Sequence, residues 1–216
     1  WLFPAYLWGA TETLHLPLIL DYPLIRSLLI QQAYHEPGDR AIPLEQDDVC
    51  ARIELWEPEV GSEGSLIKIG SRIRIRAGIP MLGRCLRVTE WEGYIEVLQR
   101  VRLDDRTWKV RFETMDSRFY DQRRKGISLS RPFLHLIRTY LYPYLDTVVV
   151  DLAQSKNEIT EFLPLVFPAE ERPRIGRWLD SIRPGKVQID KEAVRIDILM
   201  EMEVLPEPPR KPERPL

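Results

Sequence analysis

The sequence predicts a mixed α+β domain built on long antiparallel strands. Three patterns lead there: apolar residues alternate at a period of two over long segments, they recur at helical spacing in others, and short turn-forming stretches separate the alternating segments. With 216 residues, 44% hydrophobic and 30% charged, the chain is long enough to bury one sizeable core, and a single domain over 12–205 is expected.

Leu14, Leu16, Leu18 and Leu20 share one parity, as in a strand with one buried face. Asp21 then suits an N-cap and Pro23 a first helical turn, for a helix whose stripe is Leu24, Ile25, Leu28 and Leu29. Pro37 and Gly38 stop that helix near Glu36, and residues 39–48 read as a polar connection with a turn at Asp47 and Asp48.

From Cys50 to Phe119 the pattern is that of strands. Ala51, Ile53 and Leu55 alternate with Arg52, Glu54 and Trp56, and a turn follows at Gly61 to Gly64. Next, Ile67, Ile69, Ile73, Ile75 and Ile79 oppose Lys68, Arg72, Arg74 and Arg76, so a dry face backs onto a cationic one. Strands through Trp91, Gly93, Ile95 and Val97, and through Trp108, Val110 and Phe112, complete an antiparallel meander with Asp104 and Asp105 in the turn between them.

The period then returns to helix. Ser130 and Pro132 open a long stripe of Phe133, Leu136, Ile137, Tyr140, Leu141, Tyr144, Leu145, Val148 and Leu152, which Pro143 is expected to kink. Shorter helices follow through Ile159, Phe162, Leu163 and Val166, and through Ile175, Trp178, Leu179 and Ile182. Val187 and Ile189, then Val194, Ile196, Ile198, Met200, Met202 and Val204 after a turn at Asp190 and Lys191, form the last strands. Residues 1–11 form an uncharged aromatic arm, suited to an interface, to a partner or to the chain's own core. Residues 206–216 form a proline-rich tail expected to be a disordered end or a linker. A start at Trp1 rather than Met is that of a trimmed or mature chain, so a missing leader says little about localisation.

Composition narrows the function. Lys and Arg number 31 against 33 Asp and Glu, a net charge of −2, so no global basic field exists to attract nucleic acid. Gly is scarce at 11 and Pro abundant at 18, against glycine-rich phosphate loops, and no apolar run reaches the ~20 residues of a membrane-spanning helix. Cys50 and Cys85 form one bridge or stay as two buried thiols, and neither state implies catalysis. His15, His35 and His135 make no metal-ligand spacing, and no nucleophile motif is present, so no metal and no cofactor is expected. Arg118, Arg123, Arg124 and Lys125, with Arg72, Arg74 and Arg76, form either a solvated face or a site for anionic headgroups.

Four segments carry a resemblance: LHLPLILDYPLIRSLLIQQ at 14–32, SLIKIGSRIRIRAGIPML at 65–82, Trp91 to Val97, and KVQIDKEAVRIDILMEME at 186–203. Their order resembles one module of the tubular lipid-binding (TULIP) superfamily, which includes bactericidal permeability-increasing proteins and bacterial periplasmic families. That resemblance implies a long, curved antiparallel sheet wrapped around a long helix, straight or kinked, with an apolar tube for acyl chains at the seam. It implies non-catalytic binding or transport of a lipid or fatty-acyl ligand, an extracytoplasmic, periplasmic or membrane-associated setting with peripheral membrane contact, and a second TULIP-like module or other protein partner. Ile67, Ile69, Ile73, Ile75, Val110, Phe112, Ile196, Ile198 and Met200 would line the tube, closed by Leu24, Leu28, Leu141, Leu145 and Val148, with Arg123 and Arg124 at the headgroup. The family has no universal ligand residue, and this chain differs in offering one module and in its extra helix at Ile175 to Ile182.

Two other readings stand beside it. Trp108, Phe112 and Met200 are large enough to plug the interior, leaving a filled-core scaffold that engages a protein through its arm or tail. A hydrolytic enzyme assembled from residues distant in sequence is the third.

Overall fold

Asp21 marks the first change of period, and the backbone turns there as the sequence dictates. Its carboxylate accepts the Leu24 N–H at 2.8 Å and Pro23 occupies the first turn, so strand passes into helix without a loop. The computed structural model describes residues 10–46, 50–81 and 84–204, as follows. In chain order the elements are β1 (Ala10–Asp21), α1 (Tyr22–Gln32), β2 (Arg40–Gln46), β3 (Ala51–Glu63), β4 (Leu66–Met81), β5 (Arg84–Asp104), β6 (Lys109–Tyr120), β7 (Gly126–Ile127), α2 (Arg131–Leu136), a π-helical turn (Ile137–Leu141), α3 (Tyr142–Leu145), β8 (Val149–Asp151), α4 (Ala153–Val166), a 3-10 turn (Ala169–Glu171), α5 (Arg172–Asp180), β9 (Arg183–Ile189) and β10 (Ala193–Val204).

The fold is mixed α+β, and all of its strand pairs are antiparallel among the described residues. The strands form two sheets. One has three strands in the order β1-β10-β9; the other has seven, β2-β3-β4-β5-β6-β7 with β8 on β6. First and last strands meet with Leu14 opposite Met200, Leu16 opposite Ile198 and Leu18 opposite Ile196, which pairs the apolar rows of β1 and β10. One core joins both sheets. It holds Ile53 and Leu55 of β3, the isoleucines of β4, Val110 and Phe112 of β6, Ile25 and Leu29 of α1, and Ile196 and Ile198 of β10. Burying such side chains contributes about 1.5–3 kcal/mol each.

Four elements depart from the sequence reading. The stretch read as a polar connection contains β2, which pairs with β3 and buries Ala41 and Leu44. A register shift between Ala41 and Leu44 breaks the period of two that would have marked it. Helix α1 stops at Gln32, earlier than the expected Glu36, because the Ala33 and Tyr34 N–H groups cap its last carbonyls and Tyr34 turns into the core. The long helix ends at Leu145. Val148 and Leu152 flank strand β8 instead, and both are buried. Pro143 introduces no break: the chain widens into the π-helical turn just before it, where the Tyr142 N–H reaches Ile137 O, so the proline ring and missing donor are absorbed. Finally, Phe162 and Val166, expected on the packed face of a helix, are exposed on α4.

The aromatic arm, the turn at Asp47 and Asp48 and the tail lie outside the described residues, apart from the arm's last residues, which begin β1.

Candidate functional site

The two faces of the seven-stranded sheet have different chemistry. On the inner face, Ile67, Ile69, Ile73, Ile75, Val110, Phe112, Ile196, Ile198, Met200, Leu141, Leu145 and Val148 are buried in one contiguous cluster. Of the residues expected beside them, Leu28 packs against the cluster from a half-buried position, whereas Leu24 is exposed on α1 and takes no part. Trp108 is also buried, beside Val110.

Two groups of polar side chains within this interior are hydrogen-bonded among themselves, whereas the indole N–H of Trp178, packed against the same cluster, has no partner among the described residues. Gln99 donates to Thr114 Oγ1 at 3.1 Å and to Asp146 Oδ1 at 3.2 Å, and the Thr114 hydroxyl donates to the same carboxylate at 2.6 Å. Asp146 thereby ties the end of α3 to β5 and β6. The Tyr34 and Ser71 hydroxyls share a hydrogen bond of 2.6 Å in the core. Burial drives the Tyr34 hydroxyl well above the usual tyrosine range, and its bond to Ser71 offsets part of that rise.

The outer face carries cations and aromatics in register. Arg40 stands opposite Trp56, Trp56 opposite Arg72, Arg72 opposite Tyr94, and Tyr94 opposite Tyr120, one row across β2 to β6. The Arg72 guanidinium lies 5.5 Å from the Trp56 ring centroid, and the Arg124 guanidinium lies 3.6 Å from the Tyr94 centroid. In the next row Glu54 faces Arg74 and Arg74 faces Glu92. Arg74 donates to Glu92 Oε2 from Nε at 2.9 Å and from Nη2 at 2.6 Å, which raises its pKa above the ordinary arginine value. Glu54, read from parity as a solvent-facing residue, is buried, with Oε1 2.6 Å from Arg52 Nη2 and 3.1 Å from Arg40 Nη2. The Tyr120 hydroxyl donates to Glu96 at 2.7 Å, and that bond raises its pKa.

These pairings decide what the cationic row does. Arg74 and Arg76 are matched by Glu92 and Glu90, and Arg118 by Glu63, so the side chains considered for headgroup contact are held by carboxylates of the same sheet. Arg123 and Arg124 differ: both are exposed, and neither has an ion-pair partner among the described residues. Their loop is fixed by Asp121, whose Oδ1 accepts the Arg123 N–H at 2.8 Å and the Lys125 N–H at 2.9 Å. Arg124 takes a left-handed φ of 61°, a conformation costly for a side chain with a Cβ.

Arg124 itself lies with Glu57, Glu59, Arg72 and Tyr94 at a separate small hollow, while Tyr120 and Gly126, which flank that loop, border a cleft of about 500 Å³ where sheet meets helix. Phe119 of β6, Ile127 of β7, Leu129 and Leu134 of α2 supply its apolar wall, with Ser117, Arg118 and Tyr120 at its polar side. None of the residues expected to line a tube borders it. The alternation of Ile127 with Leu129 after Gly126 is the signal that marks it in sequence, too short to stand out.

The cysteines are joined: Cys50 and Cys85 form a disulfide with Cα atoms 5.3 Å apart. A second cleft, of about 380 Å³, opens beside it between β3 and β4, with Arg52, Arg76 and Gly78 in its wall. Metal-binding geometry is missing among the described residues, where no group of three or more His, Cys, Asp and Glu side chains converges. His135, on the helix that carries the long apolar stripe, points to solvent, and His15 and His35 are exposed beside Asp197 and Glu36. No described helix is long and apolar enough to cross a membrane. Compared with protein-family models, with curated proteins and with solved structures, the chain matches none.

Proposed function

We propose that the chain binds a lipid or another elongated amphipath without converting it, as a module of the tubular lipid-binding kind. The cleft between β6, β7 and α2 carries this reading: an apolar wall of Phe119, Ile127, Leu129 and Leu134 opens beside a loop whose Arg123 and Arg124 lack carboxylate partners among the described residues. An acyl chain suits the wall and an anionic head suits the loop. Deeper entry would run between the inner row of β4 and the side chains of Leu141 in the π-helical turn and Leu145 of α3, which belong to the same apolar cluster. Binding by solvent exclusion needs no acid, base or metal.

The Cys50–Cys85 bridge supports a setting outside the bacterial cytoplasm, where thiols stay oxidised. Lipid extraction and native mass spectrometry of gently purified protein are expected to recover a bound amphipath, and a fluorescent fatty acid is expected to enter the emptied protein. A protein that is always empty and takes up nothing defeats the reading.

A filled-core scaffold is the second reading. The near-complete burial of the inner rows favours it, because side chains such as Phe112 and Met200 already occupy the space between the sheets.

A further inference from the structure

The disulfide forms part of the wall of a cleft. The hollow of about 380 Å³ between β3 and β4 is bordered by both cysteines, and the two differ in access: Cys50 is buried, whereas Cys85 is exposed. Gly78 leaves room beside them. A Cβ there would stand 3.3 Å from the Cys50 Cβ and 2.6 Å from the Leu86 carbonyl oxygen, so any side chain would crowd the bridge.

The same wall carries a like-charged pair. Arg52 of β3 and Arg76 of β4 stand directly opposite each other, where two cations repel. Arg52 is engaged: Glu45 pairs with its Nη1, and Glu54 Oε1 lies 2.6 Å from its Nη2. Arg76 has more to offer. Its Nε donates to Glu90 Oε1 at 3.3 Å, and its two Nη groups have no partner among the described residues. Glu45, the carboxylate in this wall, is spent on Arg52, so the cleft presents an incoming anion with one open guanidinium.

We infer that Cys85 is a thiol-exchange site, and that its cleft selects a small thiol carrying a carboxylate. The carboxylate pairs with Arg76, and the thiolate attacks Cys85 Sγ, the more accessible sulfur. A bond forms between the incoming sulfur and Cys85 Sγ as the Cys50–Cys85 bond breaks, and the electron pair of the broken bond leaves on Cys50 Sγ. The attacking thiol gives up one proton and Cys50 takes up one, so the exchange is balanced without an oxidant. Arg52 and Arg76 favour the negative charge that passes to Cys50 in the same cleft. Exchange unfastens the β4–β5 hairpin from the start of β3, because this bridge is what joins them covalently. The inference stands apart from lipid binding and holds for a filled core as well.

Peptide mapping of the full oxidised chain tests it. The protein is incubated with mercaptopropionate, mercaptoethanol or cysteamine at equal thiolate concentration, and timed samples are quenched with excess N-ethylmaleimide. The thiol adduct is expected on Cys85 and the maleimide on Cys50. Mercaptopropionate is expected to react about tenfold faster than cysteamine, with neutral mercaptoethanol between them. Added sodium chloride is expected to narrow that spread. Arg76→Gln is expected to remove it with unchanged far-UV circular dichroism, whereas Arg76→Lys, which keeps the charge, retains it. The salt series uses the parent protein, so the test stands even if Arg76→Gln fails to fold. An adduct chiefly on Cys50, equal rates for the three thiols, a spread that salt leaves unchanged or that persists in folded Arg76→Gln, or a bridge that none of them opens overturns the inference.

Discussion

Arg72 and Tyr94 face each other on neighbouring strands, and the Arg72 guanidinium lies 5.6 Å from the Tyr94 ring centroid. Arg124 covers the same ring at 3.6 Å, so one aromatic side chain is flanked by two cations from different parts of the chain. The ring thus anchors a loop to a sheet.

Replacing that ring tests the anchor. Tyr94→Leu keeps a strand-compatible apolar side chain but removes both cation–π contacts, each worth about 0.5–1 kcal/mol where solvent has access. Urea unfolding is expected to show a loss of about 1 kcal/mol. Trypsin is expected to cut faster after Arg123 and Arg124 in the folded variant, because the loop loses its contact with Tyr94. An unchanged cleavage rate would mean that the Asp121 hydrogen bonds alone hold the loop.

Glu54 presents the sharper electrostatic case. Its carboxylate is buried among Arg40, Arg52 and Arg74, whose own side chains remain about a third exposed or more. Glu54→Ala leaves three guanidiniums without their shared acceptor, yet each can recover some water. The cost therefore falls below that of breaking a fully buried pair, at about 2 kcal/mol. A urea midpoint equal to that of the parent protein would show that rehydration repays the whole loss.

These residues also mark how far the sequence can be read. Parity placed Glu54 correctly on the outer face, since a strand alternates whatever covers it, but the cover comes from arginines on β2, β3 and β4 and cannot be seen in β3 alone. The same limit hides β2, where Pro43 and a register shift interrupt the alternation. Val148 and Leu152 satisfy helical spacing after Leu141 and Leu145 as well as they satisfy the ends of a short strand, so the switch into β8 left no local mark. The isoleucines of β4 were legible because one long strand repeats a single pattern. The cleft beside α2 was not, because its wall comes from β6, β7 and α2, separate in sequence.

The disulfide should matter for stability. It links residues separated by 35 positions and joins the start of β3 to the β4–β5 hairpin. Replacing both Cys50 and Cys85 with Ala is expected to cost about 3 kcal/mol, mainly by freeing the unfolded chain. Reduction by dithiothreitol should lower the urea midpoint of the parent protein to that of the double variant, and a parent unaffected by reduction would contradict the estimate.

Stability should fall at both ends of the pH scale, for opposite reasons. Glu63, Glu113 and Glu203 have lowered pKa values, chiefly through hydrogen bonds from Arg118, Arg102 and Arg177. Their contribution is present above the ordinary glutamate value of 4.5 and is lost as pH falls through the lower folded values. All three are exposed, so added salt should shrink that acid-side loss. Tyr34 acts in the other direction: its folded pKa is raised by burial, so its contribution is complete below the ordinary value of 10.0 and is lost as pH rises beyond it. Tyr34→Phe is expected to flatten the alkaline limb of the urea-midpoint profile while leaving the acid limb in place.

Leu145 separates the two readings of the interior. It is fully buried at the end of α3 within the cluster that contains the β4 isoleucines. In a filled core, Leu145→Ala opens a void, costs about 2–5 kcal/mol, and the loss is the same whether or not lipid is offered. In a lipid-binding seam, an acyl chain can occupy part of the space, so the variant should regain stability when a fatty acid is added, by an amount that grows with ligand concentration. Thermal unfolding of Leu145→Ala and of the parent protein, each with and without the same fatty acid, reads the difference directly. A larger ligand-induced rise in the variant supports the seam; equal or absent rises in both proteins place Leu145 in a solid core and leave any amphipath to the cleft walled by Phe119, Ile127, Leu129 and Leu134.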